Sequence, residues 1–274
     1  MSGADPVGLA RTAEALGFDF VSAADHPAAA GSPYEVWTLL TWIAASTSRI
    51  KVATRVLGVP YRPPAMVAKM AETLDRLSDG RLILGLGGGS SDDEFRAFGL
   101  GVPSPAEKVT GMDEAIRIMR GLWQQPRLTF SGRRYRVEDA MLEPKPAHRI
   151  PIWLGTYGPR ALRVTGELAD GWIPSLGFAP PDQVPAMRHR IRAAARAAGR
   201  DPDAITLAYN VEVEVGARAR PGVVCGPPEA VLEQLHAFAK LGFTAFNIMP
   251  AGPDVNEQLQ LLGRHVLPER DRAA

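Results

Sequence analysis

Residues 50–89, IKVATRVLGVPYRPPAMVAKMAETLDRLSDGRLILGLGGG, decide the fold class of this chain. The run 50–56 is short, rich in β-formers and largely apolar, which suits a buried strand. Pro64 then opens the run 64–77, where Val67, Met70, Ala71 and Leu74 recur at helical spacing and define one inward face. Segment 82–87 returns to strand character and closes on three glycines, 87–89. Strand, amphipathic helix, strand is the sequence mark of a βα unit and hence of a parallel sheet.

The same alternation extends in both directions. Asp5 caps a first helix with Pro6 at its first position, Leu9, Ala13 and Leu16 form its inward stripe, and Gly17 stops it. Residues 18–25 read as a buried strand, and Ser32-Pro33 opens a second helix that runs to about Ser46. Beyond the glycines, 105–122 is a long helix with Val109, Met112, Ile116 and Met119 in register. Segments 152–155, 171–174, 205–215 and 244–250 read as further strands, and 228–241 as one of the helices between them. Residues 124–149, with prolines, a glycine and many charges, read as an excursion with a small hairpin around Ser131-Gly132. No linker divides the chain, so residues 1–274 are expected to form one domain. The expected fold is α/β, a TIM (β/α)8-type barrel. Seven strands are visible rather than eight, because the chain starts in a helix with no strand ahead of it.

Composition excludes several classes of function. The 31 basic and 30 acidic residues leave a net charge of +1, and neither half of the chain is strongly basic. A nucleic-acid partner therefore has no electrostatic support. The longest apolar run, 36–45, is broken by Thr38 and Thr41 and is far short of the ~20 residues of a membrane span. Cys225 is the sole cysteine; it fits a reducing compartment and reads as a small residue before the turn Gly226-Pro227-Pro228. No leader is visible at the polar N-terminus, so the cytoplasm is the expected location.

In parallel α/β barrels chemistry sits at the carboxyl ends of the strands. Four such ends carry candidates. Asp25-His26-Pro27 places a carboxylate beside an imidazole that can exchange a proton near neutral pH; the competing reading is a polar loop start. Thr54-Arg55-Val56 could meet an anionic or hydrogen-bonding ligand, or simply end a strand. Gly87-Gly88-Gly89-Ser90 allows close approach of backbone to a ligand, although it is neither a dinucleotide fingerprint nor a P-loop. Thr156-Tyr157-Gly158-Pro159-Arg160 joins a strand to a helix N-terminus, a geometry that suits a phosphate; a tight βα turn is the alternative. His148, His189, His236 and His265 fall in a loop or on helices away from these ends. Asp25 and His26 alone are too few for a metal centre, so no metal site and no metal-dependent hydrolase is expected.

Five stretches, in order, resemble the luciferase-like monooxygenase superfamily of flavin-dependent oxidoreductases. They are Ala13-Glu14-Ala15-Leu16-Gly17-Phe18-Asp19 leading to Asp25-His26; Ala44-Ala45-Ser46-Thr47-Ser48-Arg49-Ile50; Leu74-Asp75-Arg76-Leu77-Ser78-Asp79-Gly80-Arg81 leading to the glycine loop; Glu94-Phe95-Arg96-Ala97-Phe98-Gly99; and Leu168-Ala169-Asp170-Gly171-Trp172. The resemblance implies a TIM barrel, often a homodimer, that holds FMN or the deazaflavin coenzyme F420. Asp25-His26 looks like the pair facing the deazaflavin ring, and Gly155 to Leu162 resembles the phosphate loop of methylene-tetrahydromethanopterin reductases, so F420 is favoured. The resemblance also implies a non-proline cis peptide near Arg55-Val56, backing the ring.

On this reading the activity is hydride transfer between reduced F420 and a hydrophobic organic substrate. His26 would bond the ring or substrate and Asp25 would orient His26. The alternatives are an FMN-dependent, oxygen-using monooxygenase and a non-catalytic flavin-binding protein. Two departures stand out. Deazaflavin-dependent sugar-phosphate dehydrogenases of the family carry a glutamate just after the glycine loop, where this chain has Ser90 and Ser91, then Asp92 and Asp93. That sets its expected proton chemistry apart from theirs. The family's first strand is also missing, which should leave unpaired edges on its neighbours.

Overall fold

The structure is a computed structural model that describes residues 5–28 and 34–267. Helix α1 is Pro6–Leu16: the Asp5 carboxylate accepts from the Val7 N–H at 3.1 Å, and Gly17 ends the helix in the left-handed region at φ 88°. Strand β1 (Phe20–Ala23) follows. The expected helix start at Ser32-Pro33 lies outside the described residues. Helix α2 is Val36–Ser46, capped by the Glu35 carboxylate, which accepts from Trp37 and Thr38 N–H groups.

The quoted stretch folds as strand β2 (Lys51–Thr54), the two-residue strand β3 (Leu57–Gly58), helix α3 (Pro64–Leu77) and strand β4 (Leu82–Gly87). The expected strand 50–56 thus divides at Thr54. Helix α4 (Asp92–Ala97) and the long helix α5 (Pro105–Gln124) come next. The excursion is a hairpin of β5 (Leu128–Ser131) and β6 (Arg136–Ala140), tied to α5 by Glu114, whose carboxylate accepts main-chain N–H groups of Arg133, Arg134 and Tyr135 at 2.6–2.9 Å.

The second half runs β7 (Ile152–Leu154), α6 (Pro159–Leu168), β8 (Gly171–Trp172), α7 (Val184–Ala197), β9 (Thr206–Val215), β10 (Val223–Gly226), α8 (Pro228–Lys240), β11 (Ala245–Pro250) and α9 (Val255–His265). All seven expected strands form, as β1, β2, β4, β7, β8, β9 and β11, and every pairing among them is parallel. Strand β10, which holds the buried Cys225, adds to β9 and was not expected; at four residues it carries too little periodicity to read.

Helices cover the outside of the curled sheet, as a TIM-type barrel requires. Inside, Ala53, Ile83, Trp153, Ile173 and Ala208, with Phe20 and Ala245 against them, fill the floor. The barrel does not close. The sheet runs β1-β2-β4-β7-β8-β9, and β11 joins β9. Among the described residues no strand pairs the outer edges of β1 and β11. Between them lies an apolar slot of about 320 Å³, walled by α1, α2 and α9 through residues such as Leu9, Ala13, Leu39 and Leu259. Leu9 and Leu16 of the α1 stripe stay half-buried for that reason. At the slot's inner end the Ser22 hydroxyl donates to Asn247 Oδ1 at 2.8 Å. No described helix is long and apolar enough to cross a membrane.

Candidate active site

The mouth of the barrel is shaped by a break in one strand. After Thr54 the chain makes a cis peptide at Arg55-Val56, as the resemblance implied. The Val56 side chain packs against the barrel floor, where Gly85 and Gly87 of β4 and Gly155 just after β7 present no side chain to oppose it. A Cβ on Gly87 would come within 2.6 Å of Val56 Cγ2, and one on Gly155 within 3.3 Å. A Cβ on Gly85 would lie 2.0 Å from the Thr54 carbonyl oxygen. Glycine at 85, 87 and 155 is therefore dictated first by the bulge, and only then available to a ligand. Gly89 has φ 79° and backs onto Phe95, which would stand 2.3 Å from a Cβ there.

A cleft of about 510 Å³ opens above this floor. Of the expected residues, Asp25, His26, Arg55, Val56, Gly87, Gly88, Gly89, Ser90, Thr156, Tyr157 and Gly158 line it. Three expected residues do not. Thr54 is fully buried and its hydroxyl donates to the Gly85 carbonyl at 2.6 Å, so it binds sheet to sheet rather than a ligand. Pro159 is the first residue of α6, where it sets the helix start. Arg160 reaches away to α5, donating to the Ala106 carbonyl and the Thr110 hydroxyl at 3.2 and 2.8 Å. Even Thr156, though in the lining, turns its hydroxyl inward onto Thr165 at 2.7 Å.

Asp25 and His26 also part company. Asp25, 5% exposed, faces the β3 side, accepting from the Gly58 N–H at 2.9 Å and from both terminal nitrogens of Arg62 at 2.8 and 3.1 Å. It therefore does not orient His26. That partner is Glu94: His26 Nδ1 lies 3.1 Å from Glu94 Oε2, and the Tyr61 hydroxyl donates to the same oxygen at 2.8 Å. Ser90 and Ser91 do stand where the sugar-phosphate dehydrogenases carry a glutamate, and Glu94, further on, is the glutamate that reaches His26. Glu94 stands on α4, whose N-cap Ser91 turns the chain back toward the cleft.

Burial raises the Glu94 carboxyl, but hydrogen bonds from His26 and Tyr61, the His26 charge and the Ala28 N–H outweigh it. The group is held below its ordinary value. The Tyr61 hydroxyl moves far upward, from burial first and then from Glu94 and Asp25. The site thus offers an ionised carboxylate, a phenol that keeps its proton, and an imidazole whose Nε2 is the nitrogen left to face a ligand. Glu94 Oε1 is buried with no hydrogen-bond partner among the described residues.

Residues that sequence reading passed over complete the cleft. Lys108 of α5 lies 5.1 Å over the Phe95 ring and pairs with Asp92 at 2.8 Å. Asn210 of β9 donates to the Ile173 carbonyl at 3.2 Å and the Ser175 hydroxyl at 3.3 Å. Burial pulls the Arg55 guanidinium downward, against the charges of Glu212 and Tyr157.

Four likenesses bear on this geometry. The family model for the luciferase-like monooxygenase matches residues 2–221. An F420-dependent glucose-6-phosphate dehydrogenase of Nakamurella multipartita is 28% identical, over 95% of this chain and 90% of that protein. A 5,10-methylenetetrahydromethanopterin reductase of Methanolobus tindarius is 31% identical, over 82% and 69%. In fold, the chain resembles an F420-dependent secondary alcohol dehydrogenase solved with an F420-acetone adduct, with a TM-score of 0.88, 21% identity, and 97% and 96% of the two chains covered. A barrel whose strand β2 ends in a cis bulge, backed by glycines and faced by a histidine, and whose sequence fits one family model over most of its length, belongs to the luciferase-like monooxygenase family.

Proposed function

We propose that this chain is an oxidoreductase that moves a hydride between coenzyme F420 and an organic substrate at the barrel mouth. The observation that carries this reading is the His26–Glu94–Tyr61 network beside the Val56 bulge, in a chain whose curated relatives include F420-dependent dehydrogenases. A flat ring fits here because the glycines at 87–89 and 155 leave the cleft without side chains beside the Val56 bulge. Among the described residues, Glu94 Oε1, Arg55 Nε and Asn210 Oδ1, on residues of or beside the cleft, are buried without hydrogen-bond partners. The coenzyme supplies the hydride carrier.

The chain's own residues do the rest. Val56 and the glycines at 87–89 support the ring, and main-chain N–H groups at Gly158 and the start of α6 receive an anionic tail. His26 takes or returns the proton that accompanies the hydride. Glu94 orients His26, and Tyr61, held protonated, keeps Glu94 in place. Asp25 acts at one remove by fixing Arg62 and the Gly58 turn. The same reading takes the protein to be cytoplasmic, on its single cysteine, and homodimeric, on its family.

The test is titration of the protein with F420 and with FMN, followed by absorbance. F420 is expected to bind at least about tenfold more tightly than FMN. Tight FMN binding without F420 binding, together with oxygen consumption on reduced FMN, would overturn the reading.

A further inference from the structure

The lateral slot between β1 and β11, about 320 Å³ in volume, is apolar along nearly all of its wall. Helices α1, α2 and α9 contribute Leu9, Ala13, Leu39, Ile43 and Leu259 to it. Among the described residues only three polar side chains line it, Ser22, Arg55 and Asn247, and none of them is acidic. These three lie together. The Ser22 hydroxyl donates to Asn247 Oδ1 at 2.8 Å. The Arg55 main-chain N–H donates to the carbonyl of Ala23, the residue after Ser22, at 2.8 Å. The slot is therefore an apolar pocket with one polar end.

That end has donors to spare. Ser22 occupies the Asn247 acceptor, which leaves the Asn247 amide hydrogens, and Nδ2 is buried without a partner on a residue 4% exposed. Arg55 Nε is likewise buried without a partner, and a guanidinium can only donate. Among the described residues no carboxylate forms an ion pair with Arg55. Burial penalises its charge, and Glu212 offsets that only through space. A buried cation and a buried donor left in this state are costly, and each calls for an explanation. A group that satisfies them accepts at two points and carries one negative charge, because a neutral acceptor leaves the guanidinium uncompensated. A phosphate would bring a second charge with a single cation to face it. The rest of the ligand is apolar, to match the wall.

We propose that the slot is a binding site for a straight-chain carboxylate, with its head on Arg55 and Asn247 and its alkyl tail between α1, α2 and α9. One carboxylate oxygen accepts from Arg55 Nε and the other from Asn247 Nδ2, while the methylenes lie along Leu9, Leu39 and Leu259. This site is distinct from the barrel mouth and stands whether or not hydride transfer occurs there. Asn247 lines the slot and not the mouth cleft, whereas Arg55 borders both. A bound carboxylate thus neutralises the one cation that the two cavities share.

The experiment separates head from tail. Hexanoate, octanoate, decanoate and dodecanoate, with the alcohols of the same lengths, are titrated into the full chain by calorimetry at submicellar concentration. Affinity is expected to rise about fourfold per added methylene until the slot is full. Each alcohol is expected to bind at least about tenfold more weakly than its carboxylate. Arg55→Met should abolish that preference and keep the dependence on length. Leu39→Trp narrows the slot and leaves the head contacts, so affinity should level off at shorter chains with the preference kept. Phe178→Ala, which alters the mouth cleft and not the slot, should change nothing. Equal binding of carboxylates and alcohols by wild type would reveal simple apolar adsorption and overturn the proposal. Loss of binding in Phe178→Ala would move the ligand to the cleft and overturn it too. So would failure of wild type to bind any chain. The wild-type comparison of acid with alcohol decides the matter even if Arg55→Met does not fold.

Discussion

Helices α4 and α5 begin with the same signature and use it differently. In α5, Ser104 accepts from the Glu107 N–H at 3.3 Å while the Glu107 carboxylate accepts from the Ser104 N–H at 2.9 Å, so the capping box closes on itself. In α4 the first half forms, with Ser91 accepting from the Glu94 N–H at 3.2 Å. The second half is diverted, and the carboxylate goes to His26 and Tyr61. Side-chain exposure follows the same division, 46% for Glu107 and 7% for Glu94. The Glu94 carboxylate thus leaves its nearest local partner for an imidazole at the cleft.

The sharpest way to break this comparison is catalytic. Glu94→Gln is expected to lower kcat about 10²- to 10⁴-fold while F420 binding changes by less than about twofold. Glu107→Gln should leave kcat unchanged. Steady-state rates and a binding titration on both variants decide it, and equal losses would erase the distinction.

A second contrast concerns acid. The Glu94 carboxyl sits below its ordinary value of 4.5 in the folded chain. A depressed value means its contribution is complete above the unfolded value and lost as pH falls through the folded one. Wild type should therefore lose melting temperature on acidification more steeply than Glu94→Gln. Glu107 is also depressed, chiefly by the Ser104 N–H, but it is solvated. Its share should vanish in high salt, whereas that of Glu94 should persist. Calorimetric scans across the acid range at two salt concentrations would show this, and identical slopes for wild type and Glu94→Gln would refute it. The smallest effect is the cap itself: Ser104→Ala should cost about 1 kcal/mol in urea unfolding with no change in turnover.

The fold was legible because its signals are periodic. Strand β4 and helix α3 begin and end where the apolar pattern and Pro64 place them. The site was legible only where it coincides with strand ends, as at His26 and Gly87. Glu94 was visible as part of a family motif, yet its role depends on a one-turn helix folding back, a long-range contact across 68 positions that no local pattern carries. Pairing Asp25 with His26 failed because the Asp25 carboxylate is taken by the Gly58 N–H and by Arg62, partners 33 and 37 positions away that no local pattern carries. Asn210 and Asn247 were readable in principle. In β9, Ala208, Asn210 and Glu212 alternate with Leu207, Tyr209, Val211 and Val213, so a polar residue sits at an inward position of an otherwise apolar strand.

The open side of the sheet has a mechanical consequence. A closed barrel is a hoop, in which every strand braces its neighbours on both sides. Here the hoop has a seam, spanned at its inner end by the Ser22–Asn247 contact and clasped from outside where Leu16 of α1 packs onto the bare backbone at Gly263 of α9. Breathing of the molecule should therefore start along this seam, with the edge amides of β1 and β11 exchanging their hydrogens before those of β4 and β7.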